Sequence, residues 1–97
     1  MRSVKRLEII VEAVELRELQ RVLARLGVDS YSVVHNVTGK SASGVQSGDD
    51  LSDVFRNVLL LTTCAPEELD EIVGALRPLL QRRGGICLVS DAQWLIH

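Results

Sequence analysis

KRLEIIVEAVELRELQRVLARLGVDSYSVVHNV, residues 5–37, changes its hydrophobic period twice, and those changes decide the fold. From Lys5 to Glu12 the residues alternate. Leu7, Ile9 and Val11 fall on one face, and Arg6, Glu8, Ile10 and Glu12 on the other, as in a strand with one buried and one mixed face. Leu16, Leu19, Val22, Leu23 and Leu26 then recur at helical spacing. Glu15 and Glu18 lie early and Arg21 and Arg25 late, which suits the helix dipole, and Gly27 supplies a left-handed stop. Period 2 returns in Tyr31, Val33, His35 and Val37 against Ser32, Val34 and Asn36.

Working outward, Thr38–Asp53 (TGKSASGVQSGDDLSD) is polar and rich in glycine and serine, with almost nothing to bury. Such a long loop in a small domain is usually functional or mobile. Val54–Thr63 (VFRNVLLLTT) is a continuous β-favouring run, expected to be a buried central strand. Pro66 opens a second helix, with Glu67 and Glu68 in its first turn and Leu69, Ile72, Val73, Leu76 and Leu80 as its buried stripe. Pro78 removes one helical hydrogen bond, so a kink or early end is expected there. Arg82-Arg83-Gly84-Gly85 reads as a basic turn, Ile86–Val89 as a short fourth strand, and Asp91–His97 as a tail that turns once and pairs at the edge.

The order is β-α-β-β-α-β. Right-handed crossovers turn it into an α+β, ferredoxin-like arrangement: a four-stranded antiparallel sheet with both helices on one face. The opposite sheet face also carries apolar residues, Ile10 and Val34 with the two-sided run Val58–Leu61, so a trimer or similar ring packing sheet faces inward is expected.

With 97 residues, the chain builds one core, and its 46% hydrophobic content sets it apart from disordered chains. A net charge of −2 with 3% aromatic residues argues against nucleic-acid binding. No apolar run reaches the length of a membrane span, so no direct insertion is expected, and Met1–Arg6 leads into no signal-peptide core. Cys64 and Cys87 sit in apolar stretches without CxxC spacing, which reads as a reduced, cytoplasmic protein with core thiols.

The catalytic inventory is thin. His35 reads as a satisfied sheet histidine, and a metal set of His35, Asp49, Asp50 and Asp53 matches no known spacing, so no metal site of the chain's own is expected. The more specific signal is cationic and glycine-rich. Lys40 follows Gly39 at the mouth of the long loop, and Arg82 and Arg83 precede Gly84 and Gly85. Glycines admit an anion close to backbone N–H groups and the cations hold it; the alternative is that the arginines only close the second helix electrostatically.

The layout resembles the PII signalling superfamily over nearly the whole chain. Residues 38–54 stand where that family has its T-loop, and 82–86 where it has its B-loop. Tyr31-Ser32-Val33-Val34 running to Thr38-Gly39-Lys40, then Ser47–Phe55, and the finish Val89–Ile96, are similar to the PII-like branch linked to inorganic carbon, the SbtB and carboxysome-associated proteins. The loop carries no tyrosine, the B-loop no lysine, and the chain no paired-cysteine hairpin after the last strand.

The resemblance implies a single PII-like domain over 1–97 that forms a homotrimer and binds an adenine nucleotide between protomers, without being an enzyme. Its implied contacts are Val37, Thr38, Gly39, Lys40, Ser43 and Gln46, then Thr62 and Thr63, then Arg82, Arg83, Gly84, Gly85, Ile86 and Cys87. AMP or cyclic AMP suits the modest phosphate-binding charge, with ADP and ATP, the latter with Mg²⁺ or Ca²⁺, also within the implied set. The loop tip, including Ser41, Ala42, Gly44, Val45, Ser47, Gly48, Asp49 and Asp50, would read a partner. For this branch that partner is a membrane bicarbonate transporter, reached from the cytoplasmic side. A small phosphatase of the acylphosphatase type is the alternative on the same fold, but Glu12-Ala13-Val14-Glu15 is acidic where that chemistry wants an arginine in a glycine-containing loop. An RNA-binding module of the RRM type would need stacking aromatics that VFRNVLLL lacks.

Overall fold

The computed structural model describes residues 1–39 and 56–96. The elements are β1 (Arg2–Glu12), a 3-10 turn (Ala13–Glu15), α1 (Leu16–Arg25), β2 (Ser32–Val37), β3 (Asn57–Cys64), a second 3-10 turn (Pro66–Glu68), α2 (Leu69–Arg83) and β4 (Ile86–Trp94). The sheet order is β2-β3-β1-β4 and every pairing is antiparallel, so β3 and β1 are central. This is the ferredoxin-like arrangement expected from the order of periods.

The core lies between the helices and one face of the sheet. Leu7, Ile9 and Val11 of β1 and Val58 and Leu60 of β3 are essentially inaccessible, and Leu19, Leu23, Ile72, Leu76 and Leu79 cover them from the helices. α1 ends as its sequence dictates: Gly27 takes φ 81°, a left-handed conformation that costs glycine nothing.

Four expectations change. α2 runs through Pro78 to Arg83 without ending early. The proline forfeits its bond to the Gly74 carbonyl, but both residues lie on the exposed side. Leu76 and Leu79 bracket it in the core, and burying each such side chain is worth about 1.5–3 kcal/mol. On the same helix Leu79 is the fully buried residue at the position expected for Leu80, which is only partly buried.

β4 is one strand from Ile86 to Trp94 rather than a short strand and a separate tail. β1 starts at Arg2, so it offers a template for the whole length, and Asp91 pairs with Lys5 across the ladder (Oδ1–Nζ 2.5 Å). The alternation expected for Tyr31–Val37 fails after Val34. The register Val34↔Leu59 gives way to Val37↔Asn57, which leaves one extra residue in β2. Asn36 takes φ 60° at this bulge, and His35 is exposed rather than settled on a sheet face.

The sheet face away from the helices is not polar. Register places Val34, Leu59, Ile10 and Ile86 in one row across all four strands, with Leu61 and Leu88 in the next row on either side of Glu8. Val34, Ile86 and Leu88 are 51%, 59% and 60% exposed, far above what a side chain in a packed interface retains. The charged residues on this face, Arg6 and Glu8, form an ion pair with each other.

Candidate functional site

The two ends of the sheet carry different chemistry. At one end, β2 leaves the sheet through the bulge and leads into Val37, Thr38 and Gly39, the last two exposed. Asn36 Oδ1 accepts a hydrogen bond from Arg56 Nη1 at 3.2 Å, so the strands on either side of segment 40–55 are tied at its base. The Arg56 carbonyl in turn accepts from the Ala13 amide at 2.7 Å, joining that base to the end of β1.

The α2–β4 turn lies at the same end. Gly84 caps the helix in the left-handed conformation, φ 76°, and both its amide and the Gly85 amide donate to the Leu80 carbonyl. These two N–H groups therefore close the helix and do not point outward, so anion binding here falls to side chains. Gly85 is required by close packing. A Cβ there would lie 2.9 Å from Leu80 Cδ2 and from Val11 Cγ1, and 3.0 Å from the Ile10 carbonyl oxygen. Gly85→Ala is expected to destabilise the protein by about 1–3 kcal/mol through overpacking. An unchanged thermal midpoint would contradict that tight approach of helix to strand.

Arg82 and Arg83 occupy the last turn of α2 and face Glu12 and Glu15. Arg83 Nε lies 2.9 Å from Glu15 Oε2, Arg82 Nη2 3.4 Å from Glu15 Oε1, and Arg83 Nη1 3.8 Å from Glu12 Oε1. The Glu15 side chain is only 9% exposed, so its carboxylate depends on these partners. The sequence assigned Glu15 to the α1 dipole alone; the long-range pairing carries no local signal.

At the other end of the sheet, Thr62 is buried on the helix side and its hydroxyl donates to the Ser30 carbonyl at 2.8 Å. Thr63 faces the opposite side, and its Oγ1 accepts from Trp94 Nε1 at 3.3 Å. Beside them a groove of about 530 Å³ opens between the α1–β2 connection and the sheet, lined among others by Gly27, Asp29, Tyr31, Arg2 and Trp94. That volume lies within the range of small-molecule sites. None of these five was expected in a site; Gly27, read only as a helix stop, and the turn-forming Asp29 and Ser30 after it were the signal available.

The expected contact set is thus divided within one protomer. Val37 pairs with Asn57, and Thr62 lies five residues along β3, roughly 17 Å away at strand rise. Lys40, Ser43, Gln46 and the expected partner-reading residues Ser41, Ala42, Gly44, Val45, Ser47, Gly48, Asp49 and Asp50 lie outside the described residues, as does Asp53 of the candidate metal set.

Cys64 is buried in the core, and Cys87 is half-buried on the same sheet face. Burial pushes the Cys64 thiol up, and the Glu68 and Glu67 carboxylates add to this against the opposing Lys5 charge. Burial likewise raises Cys87. Both are packing groups held protonated, the reverse of an activated nucleophile. Among the described residues no three metal-ligating side chains come together, and no helix is long and apolar enough to cross a membrane.

Comparison with protein families matches residues 4–95 to the family described as nitrogen regulatory protein P-II. Comparison with curated proteins finds no match. Among solved structures, CPII from Thiomonas intermedia K12 bound to ADP and bicarbonate superposes with a TM-score of 0.78 at 27% identity, over 95% of this chain and 88% of the other. The same nitrogen regulatory PII-like protein bound to ADP, AMP and bicarbonate gives 0.79 at 24% identity, over 95% and 92%. A candidate PII-like signaling protein from Thermus thermophilus gives 0.73 at 21% identity, over 96% and 90%.

Proposed function

This chain belongs to the nitrogen regulatory P-II family, and from that membership we propose that it is a trimeric adenine-nucleotide-binding signal protein and not an enzyme. The observation that carries the reading is the division of the site. Val37–Gly39 and the Gly84-Gly85 turn lie at one end of the sheet, Ile86 and Cys87 follow level with Leu59 and Leu60, and Thr62, Thr63 and the groove lie toward the other end. One nucleotide meets both sets only where the loop end of one copy abuts the groove end of the next. The apolar row Val34, Leu59, Ile10 and Ile86 supplies the surface that would hold the copies together, and the internally paired Arg6 and Glu8 could be covered without leaving a lone charge. CPII of similar fold is bound to ADP and AMP, which supports the choice of ligand.

In this reading the groove takes base and ribose, while Lys40, Arg82 and Arg83 of the adjoining copy take phosphate. Segment 40–55 is the output: a nucleotide that touches its base in only one of its shapes shifts the balance by the difference in affinity. A tenfold preference, about 1.4 kcal/mol, is enough to change which shape a partner meets. The partner proposed is a bicarbonate transporter, met at the cytoplasmic face of the membrane; bicarbonate in the CPII structures supports the link to inorganic carbon.

An acylphosphatase reading fares worse, because a phosphoryl group placed after β1 would meet Glu12 and the buried Glu15. The test is calorimetric titration with AMP, ADP, ATP and cyclic AMP, together with light scattering. The expected result is a mass three times that of the chain and binding of at least one nucleotide below millimolar concentration. A monomer that binds none of the four would remove the proposal.

A further inference from the structure

The proposed phosphate end of the site has an unusual charge balance. Its two glycine amides are committed to the Leu80 carbonyl, and the helix that ends there turns the negative end of its dipole toward the site. Attraction for phosphate among the described residues of this turn therefore rests on Arg82 and Arg83. Two carboxylates oppose those two cations at 2.9–3.8 Å, so the four-residue cluster is neutral.

We infer that Glu12 and Glu15 are specificity-determining residues that limit how much phosphate charge the α2–β4 turn accepts, by holding Arg82 and Arg83 in neutralising ion pairs. The inference rests on the nucleotide reading above and adds to it the restraint that selects among nucleotides. Glu15 is the stronger restraint. Its carboxylate is almost fully buried and touches both guanidinium groups, so drawing either arginine toward a ligand strips a buried anion of a partner. A ligand with one phosphate is served by the outward sides of the guanidinium groups, which remain about half exposed (56% and 49%). A polyphosphate gains little more, because each added negative charge meets the two carboxylates as well as the arginines.

The test titrates the full chain, Glu15→Gln and Glu12→Gln with AMP, ADP, ATP and inorganic tripolyphosphate at one low ionic strength. In Glu15→Gln, affinity for ATP and for tripolyphosphate is expected to rise about tenfold while that for AMP changes by less than about threefold. Glu12→Gln should move the same way by less, since its contact is longer and its side chain 31% exposed. That exposure also makes it the variant whose folding does not depend on a buried carboxylate, and circular dichroism checks both.

An unchanged ATP-to-AMP ratio in both folded variants would overturn the inference. So would weaker tripolyphosphate binding, which would mean that the carboxylates aim the arginines at phosphate. Tighter tripolyphosphate binding without any adenine-nucleotide binding would overturn the nucleotide reading and leave the restraint standing. No binding of either class by any of the three proteins would overturn both.

Discussion

Leu88→Asp is expected to yield a folded protomer with one third of the native mass that no longer binds nucleotide. Leu88 is 60% exposed in the isolated chain and points away from the helices, next to Glu8 in register. Nothing in the core between sheet and helices touches that face, so the cost to the protomer itself should stay within about 1 kcal/mol, the span of strand preferences. In a trimer the same position would be surrounded by the apolar row of Ile10, Leu59 and Ile86 and its equivalents in the other copies. Three carboxylates would then be desolvated close together, each without a partner, and that arrangement does not form when a solvated monomer is available. Light scattering reads the mass, circular dichroism the fold and calorimetry the loss of nucleotide binding. A variant that retains the native mass would show that this sheet face is not where copies meet. A monomer that still binds nucleotide with native affinity would show that one protomer holds a complete site.

Leu60→Ala should cause the largest loss of intrinsic stability. Leu60 has no accessible surface, lies in register with Ile9 of β1 and Val33 of β2, and belongs to the core cluster closed by both helices. Its neighbours sit on four elements, so no one of them can relax into the space. A loss of about 3–4 kcal/mol is expected from the transfer and cavity terms together. At about 4–8 °C per kcal/mol for a domain of this size, the thermal midpoint should fall by roughly 12–30 °C. Leu95→Ala, at a position 76% exposed, should change stability by less than about 0.5 kcal/mol and serves as the control. The comparison must be made at one protein concentration, because subunit association couples the midpoint to mass action. A shift below a few degrees for Leu60→Ala would mean that the sheet and helices are not packed as the structure shows.

Most of the architecture was legible because it is written in local periods. Leu7, Ile9 and Val11 at spacing two, and Leu19, Val22 and Leu23 at helical spacing, each required only their own segment to be read. Gly27 announced its left-handed cap in the same way, whereas Gly84, read only as part of a basic turn, also caps its helix. The misreadings share one cause. Pro78 breaks isolated helices, yet here burial of Leu76 and Leu79 on either side outweighs one forfeited hydrogen bond. Ser90-Asp91 has turn chemistry, but an edge strand facing β1 along its whole length keeps it extended. The bulge at His35–Asn36 is a property of the β2–β3 pair, and alternation within β2 alone could not reveal it.

The site was legible in a different measure. Residue types suited to an anion, Arg82 and Arg83 beside two glycines, were visible in the chain. Their engagement by Glu12 and Glu15 was not, because the partners stand about 70 positions apart and meet only when α2 packs back against the end of β1. The groove beside Thr63 was missed for the same reason: it joins the connection after α1 to the first and last strands.

By itself, then, the order of hydrophobic periods determined a β-α-β-β-α-β chain with an antiparallel sheet, since each segment can bury its apolar stripe in only one kind of element. Tertiary structure alone decided which charges neutralise one another and that the expected ligand contacts are spread along a protomer, with Val37 and Thr62 far apart. Those facts depend on distances between residues remote in sequence, and such distances exist only once the sheet has set its register and the helices have closed over it.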